Sequence, residues 1–223
     1  MSTTAGSYRA FLWDGVAGMQ NLGTFGVNAG TTLNAGSEAN AINDRGQVVG
    51  TVYGLLGGLL FNTIIPFRWD PASGGTLLPQ SAAKATGIND AGQIVGNSGS
   101  IQGSHMSFMP RWYVVTNAFV WQAGSSTTLG FSTNQTTYQT DGGGGFDVSI
   151  NKHAQVVGLN HLWQDGVRTD LNSLPDPSLG WVIFSTSDIN DAAQIVGQGT
   201  HEGVSTSFLL SHVTPSLPAS ISV

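Results

Sequence analysis

Ile42-Asn43-Asp44-Arg45-Gly46-Gln47-Val48-Val49-Gly50 is the stretch on which the fold turns, because it recurs at 88–96 (INDAGQIVG), 150–158 (INKHAQVVG) and 189–197 (INDAAQIVG). Self-similarity of this kind marks one supersecondary unit used repeatedly. Asn-Asp-x-Gly suits a type I turn, with Asn first and Gly last. The Asn and Asp side chains reach nearby backbone, and Gly46 takes positive φ at no steric cost. Gln-Val-Val-Gly is then the returning strand of a hairpin. Ala154 and Ala193 replace that glycine in the last two copies. If those positions are left-handed, each alanine costs about 1 kcal/mol.

A second phrase alternates with the first: Ala10-Phe11-Leu12-Trp13, Pro66-Phe67-Arg68-Trp69, Ala118-Phe119-Val120-Trp121 and Asn160-His161-Leu162-Trp163, with a weaker copy at Ser207-Phe208-Leu209-Leu210. Side chains alternate along a strand, so Phe and Trp share one face. Turns follow at Asp14-Gly15, Asp70-Pro71, Ala123-Gly124 and Asp165-Gly166, and a short strand ends near Leu22, Leu77, Leu129 or Leu171. Each repeat therefore reads as Trp strand, Leu strand, Ile-Asn strand and Gln-Val-Val strand, the content of a propeller blade. The fold expected is all-β: a small β-propeller of four degenerate four-stranded repeats, or five blades if the half repeats at the two ends count separately. An open β-solenoid is the runner-up. Ser207 to Val213 reads as a closing strand that pairs with the N-terminal repeat. Residues 1–213 form one domain on this reading, and 214–223 a tail or linker.

Composition agrees with many short strands and tight turns. Of 223 residues, 40% are hydrophobic, 31 are Gly and only 9% are charged, against about 25% charged in an ordinary soluble domain. The net charge is -6, and the seven Lys and Arg are spread from Arg9 to Arg168, which argues against a nucleic-acid surface. With no Cys, disulfides and thiolate metal sites are excluded. Met1-Ser2-Thr3-Thr4 gives neither the basic start nor the apolar core of a signal peptide. The apolar stretch 52–67 is too short and glycine-broken for a membrane span.

The two phrases resemble the bacterial extracellular repeat family called HAF, after its His-Ala-Phe motif. The motif reads Arg9-Ala10-Phe11, Asn117-Ala118-Phe119 and, more loosely, Thr206-Ser207-Phe208 here, with another residue in place of the His each time. The Ile-Asn-Asp-x-Gly-Gln-Val-Val-Gly phrase matches the family well, and the likeness covers nearly the whole chain. Residues 214–220 (TPSLPAS) are similar to the segment before a C-terminal sorting anchor. The resemblance implies a secreted or cell-surface protein and names no reaction.

In a meander, alternate connections leave at the same end. The Asn-Asp-x-Gly and Asp-Gly turns share one face and are short. The opposite face collects the connections 23–38, 51–65, 97–116, 130–145 and 172–185, so function is expected there. Within 132–145 (STNQTTYQTDGGGG), Asn134, Gln135, Tyr138 and Asp141 offer amides, a carboxylate and a ring for a glycan; the competing reading is a polar loop without a ligand. Trp112, Arg111 and Trp181 fall outside the repeat and join them as ligand-binding candidates. The apolar stretches 53–65 and 106–115 suit self-association or a partner, or else a long hairpin packed on its neighbour.

Positions facing a central channel are expected to be Ala39 and Ala41, Ala85 and Gly87, Asp147 and Ser149, Thr186 and Asp188. Asp147 and Asp188 on adjacent repeats form the kind of carboxylate pair that glycoside hydrolysis uses, or that ligates calcium. The plainer reading is two solvated aspartates. The repeated Gln47, Gln93, Gln155 and Gln194 are expected to bond backbone between blades, and the repeated Trp to be core. The five His lack zinc-motif spacing, and neither a Gly-x-Ser-x-Gly elbow nor a phosphate loop occurs. The function expected is therefore a non-enzymatic module that binds a glycan or surface partner on the long-loop face. The alternatives are a glycan-active hydrolase or lyase using Asp147 and Asp188, and a self-associating structural protein.

Overall fold

The computed structural model describes residues 8–25, 36–55, 62–79, 83–102, 112–130, 136–137, 148–211 and 220–222. These residues are almost entirely antiparallel β. An N-terminal hairpin pairs β1 (Phe11–Asp14) with β2 (Gly18–Asn21). Four meander sheets follow. Sheet I contains β3 (Gly36–Ile42), β4 (Val48–Leu55), β5 (Asn62–Asp70) and β6 (Gly74–Leu77). Sheet II contains β7 (Ala83–Ile88), β8 (Ile94–Gln102), β9 (Trp112–Gln122) and β10 (Ser125–Thr128), with β11 (Thr136–Thr137) added beside β9. Sheet III contains β12 (Val148–Ile150), β13 (Val156–Gly158), β14 (His161–Gln164) and β15 (Val167–Asp170). Sheet IV contains β16 (Trp181–Ile189), β17 (Ile195–His201), β18 (Val204–Ser211) and β19 (Ser220–Ser222). Two 3₁₀ turns, Leu171–Ser173 and Pro177–Leu179, link sheets III and IV.

The turns form as their residues dictate. Asn43 N–H donates to the Gln47 carbonyl at 3.1 Å, and Gly46 N–H donates back to the Asn43 carbonyl at 2.9 Å. The closing position is left-handed in all four copies: φ is 72° at Gly46, 77° at Gly92, 60° at Ala154 and 58° at Ala193. Ala123-Gly124, Asp165-Gly166 and Glu202-Gly203 have positive φ at both residues, the type I′ geometry that matches strand twist.

Sheet boundaries fall elsewhere than the repeat reading suggests. Each sheet starts at its Ile-Asn strand; sheets I, II and III end at their Leu-type strand, a place that Ser220–Ser222 takes in sheet IV. The β1–β2 hairpin is thus the second half of a sheet. Nor does the described part of the expected closing strand, Ser207–Ser211, close onto the N-terminal repeat. β18 is bonded on both edges, to β17 and to β19. The two-residue Glu202-Gly203 turn folds β18 straight back on β17, and a local hairpin has little loop-closure entropy to overcome. Within the expected tail, Ser220–Ser222 supplies the fourth strand of sheet IV.

Consecutive sheets stack face to face, and the same pair of residues makes each contact. Val49 of sheet I clusters with Ile88 of sheet II, Val95 of sheet II with Ile150 of sheet III, and Val157 of sheet III with Ile189 of sheet IV. The hairpin packs on sheet I in the same sense: Ala10, Leu12 and Leu22 lie against Val48, Val52, Phe67 and Trp69. Within the apolar stretch 53–65, Ile64 and Ile65 lie in β5 of the β4–β5 hairpin and are buried, in line with the packed-hairpin alternative rather than an exposed apolar loop. Among the described residues, no helix is long and apolar enough to cross a membrane.

Side chains of the Asn-Asp turns sew the stack together. Asn43 Nδ2 donates to the Asn89 carbonyl (3.0 Å), Asn89 Nδ2 to the Asn151 carbonyl (3.1 Å) and Asn151 Nδ2 to the Asn190 carbonyl (3.0 Å). Asp44 N–H donates to Asp90 Oδ1, and Lys152 N–H to Asp191 Oδ1, both at 2.9 Å. The Asn, not the Gln, therefore crosses between sheets. Each Gln serves its own sheet: Gln47 accepts from Asn43 Nδ2 and donates to Asp70 Oδ2, both at 2.8 Å. That Gln47 donor, followed by the Ala72 N–H and Arg68, holds the Asp70 carboxyl below its ordinary value.

Candidate functional site

The four first strands, β3, β7, β12 and β16, face a common cavity of about 700 Å³. They reach it because each sheet is stacked on the next through its first strand. Ala41, Gly87, Ser149 and Asp188, the residues two before each Asn, all line it, as expected. Of the positions four before each Asn, Ala39 lines it as well, Ala85 and Thr186 do not, and Asp147 lies outside the described residues. In β3, β7 and β16 an extra residue interrupts the pairing at Asn40, Thr86 and Ser187. A bulge breaks the two-residue alternation. Ala85 and Thr186 are consequently turned into the interior, while Asn40, Thr86 and Ser187 line the cavity. β12 carries no bulge, so Val148 pairs with Gly158 where β16 pairs Thr186 with Gly197.

Polar groups on the wall are tied from strand to strand. Asn40 Nδ2 donates to the Ala85 carbonyl at 2.8 Å, and Thr86 Oγ1 to the Val148 carbonyl at 2.6 Å. Ser149 Oγ donates to Asp188 Oδ1, which also accepts from the Ile189 N–H at 2.9 Å. Toward the strand starts, Tyr53 Oη donates to Glu38 Oε2 at 2.9 Å, and Lys84 Nζ lies 6.0 Å from the Tyr53 ring centre. That end is the one opposite the Asn-Asp turns. The wall thus presents two carboxylates, an ammonium and several hydroxyls, a set suited to hydrogen-bonding a polar ligand rather than enclosing an apolar one.

Of the candidates, Asp188 is on the cavity wall. Arg111, Asn134, Gln135, Tyr138, Asp141 and Asp147 lie outside the described residues, and only the backbone of Trp112 is described, at the start of β9. Trp181 opens β16 away from the cavity lining. One of its faces is stacked on His201, with centroids 4.6 Å apart and planes at 18°, and it packs on the core shared by sheets III and IV. Among the described residues no group of three or more His, Cys, Asp or Glu is placed to hold a metal.

Glu38, Tyr53 and Lys84 escaped the sequence reading. One signal was present. Glu38 and Lys84 both stand five residues before the repeated Asn, so two of the chain's few charges, of opposite sign, occupy one repeat position on adjacent strands. Comparison with known protein families, with curated proteins and with solved structures finds no match to this chain.

Proposed function

We propose that this chain is a β-propeller module of the HAF extracellular repeat kind, exported from the cell, which binds a glycan without cleaving it. The ligand sits at the cavity mouth and against the long connections around it. The carrying observation is the polar cavity walled by Glu38, Tyr53, Lys84, Thr86, Ser149 and Asp188. Sugar hydroxyls donate to carboxylates and accept from an ammonium, and the Tyr53 ring offers an apolar surface beside them. The propeller reading is supported by the serial stacking of like sheets with their first strands around one cavity. The extracellular placement rests on the resemblance of the two repeated phrases.

A glycan array and polysaccharide pull-down with the full chain, with product release followed in the same samples, tests this reading. Binding without release is expected. Glu38→Gln and Lys84→Met should each weaken it by about tenfold or more, the scale of a lost charge-assisted hydrogen bond. Failure to retain any glycan would overturn the proposal. Product release would replace it with the hydrolase or lyase reading, for which Asp188 already lines the cavity, and Asp147 and Asp188 would be the first residues to change.

A further inference from the structure

Among the described residues the stack of sheets has two bare ends, and one further hairpin of the repeated kind would cover both. β3 packs on β7, β7 on β12 and β12 on β16, but among the described residues β16 does not close onto β3 in the same way. Ile88, Ile150 and Ile189 are each less than 10% exposed, covered by the second-strand valine of the preceding sheet; Ile42, their equivalent, is 55% exposed. Val49, Val95 and Val157 are 1% exposed or less, covered by the first-strand isoleucine of the following sheet; Val196, their equivalent, is 40% exposed.

The N-terminal hairpin shows the same gap from a third side. β5, β9, β14 and β18 are each bonded on both edges, whereas β1 pairs only with β2 among the described residues. In sheet I the Gln-Val-Val strand sets Val48 opposite Trp69 and Gly50 opposite Phe67. Phe67 and Trp69 are buried there, while the equivalent Phe11 and Trp13 are 54% and 65% exposed. The asparagine ladder stops at both ends too. Among the described residues, Asn190 Nδ2 donates to its own Gln194 and reaches no further turn, and the Asn43 carbonyl takes only the Gly46 N–H of its own turn.

We propose that the space between sheet IV and the β1–β2 hairpin is a docking slot for one β-hairpin of the Ile-Asn-Asp-x-Gly-Gln-Val-Val-Gly pattern, presented by a separate polypeptide. Such a hairpin satisfies every orphan at once. Its isoleucine covers Val196 and its second-strand valine covers Ile42. Its Asn amide donates to the Asn43 carbonyl, and its Asn carbonyl accepts from Asn190. Its second strand pairs with the free edge of β1, the β-strand addition used in many peptide complexes, and its first strand stands as a further wall of the cavity. The interface is a continuation of the one already repeated between sheets I, II, III and IV. A second copy of this chain is the poorer occupant, because all four of its own hairpins of this pattern are built into sheets. The slot does not depend on the glycan reading.

The test uses a fluorescein-labelled peptide of residues 83–98 (AKATGINDAGQIVGNS) carrying Ala83→Cys and Ser98→Cys. These two positions are register partners in β7 and β8, so a disulfide preforms the hairpin. Titrated with the full chain, it should bind saturably one to one. At about 100-fold excess over Kd it should raise Tm by about 5–10 °C. Ile88→Asp in the peptide, or Val196→Asp or Ile42→Asp in the chain, should each weaken binding by about tenfold or more, since each places a charge in an apolar contact. Both protein positions are exposed, and circular dichroism verifies that the variants fold. No binding at millimolar peptide to the folded chain would overturn the proposal, as would binding indifferent to Val196→Asp and Ile42→Asp. Self-association abolished by Val196→Asp would also overturn it, because the two bare ends would then meet each other between copies.

Discussion

The residue that joins sheet to sheet is asparagine. Asn89 is nearly buried; its Oδ1 accepts from the Gln93 N–H at 3.1 Å, and its Nδ2 reaches both Gln93 Oε1 at 2.7 Å and the Asn151 carbonyl at 3.1 Å. Alanine there strands several buried partners at once, at about 1–3 kcal/mol for each unsatisfied group. Asn89→Ala should therefore cost about 3 kcal/mol or more in urea unfolding. Asn190→Ala, at the exposed end of the ladder, should cost about 1 kcal/mol. Equal costs would mean that the ladder does not act between sheets. The turn-closing alanines make the opposite case. At φ of 60° and 58°, Ala154→Gly and Ala193→Gly should each stabilise by up to about 1 kcal/mol, read as a Tm rise of about 2–4 °C. The sequence made the turn legible but not the division of labour between its two amides: Asn and Gln carry the same donor and acceptor groups, and only the reach of the side chain decides which one crosses.

At the scale of the element, the Gln-Val-Val-Gly strand ends in glycine for a reason that periodicity cannot show. A Cβ on Gly50, Gly96 or Gly197 would lie about 2 Å from a first-strand carbonyl oxygen, that of Glu38, Lys84 or Ser185, and against the ring of Phe67, Phe119 or Phe208. The phenylalanine of the second phrase thus packs over the glycine of the first, which ties the two phrases into one unit. Gly96→Ala has no flexible neighbour to displace and should cost about 3 kcal/mol or abolish folding. Gly92→Ala meets only Gln47 Oε1 at 3.9 Å and should cost about 1 kcal/mol, for its positive φ alone. Comparable losses would refute the close-approach account. Hairpins and turns were legible because each is decided by a few adjacent residues. Where one sheet ends was not, because a cyclic order of four strands has no intrinsic start. The bulges at Asn40, Thr86 and Ser187 were hidden as well, since one extra residue leaves no mark in the repeated phrase.

Across the whole molecule, repeated positions build the stack and unrepeated ones furnish its cavity. Ile, Asn, Val and Gly recur because every sheet must meet the next in the same way; Glu38, Lys84 and Asp188 differ in kind from their repeat counterparts, so only their place in the repeat frame could point to them, and Tyr53 lies beyond the repeated phrase. The proposed polyhydroxylated ligand sits against the first strands of successive sheets. Hydrogen exchange of the full chain, with and without the best-retained oligosaccharide, reads this out strand by strand. Slowed exchange is predicted in 36–42, 83–88, 148–150 and 187–189, with the third and fourth strands of each sheet unchanged. Protection confined to those outer strands, or no protected segment at all, would contradict it.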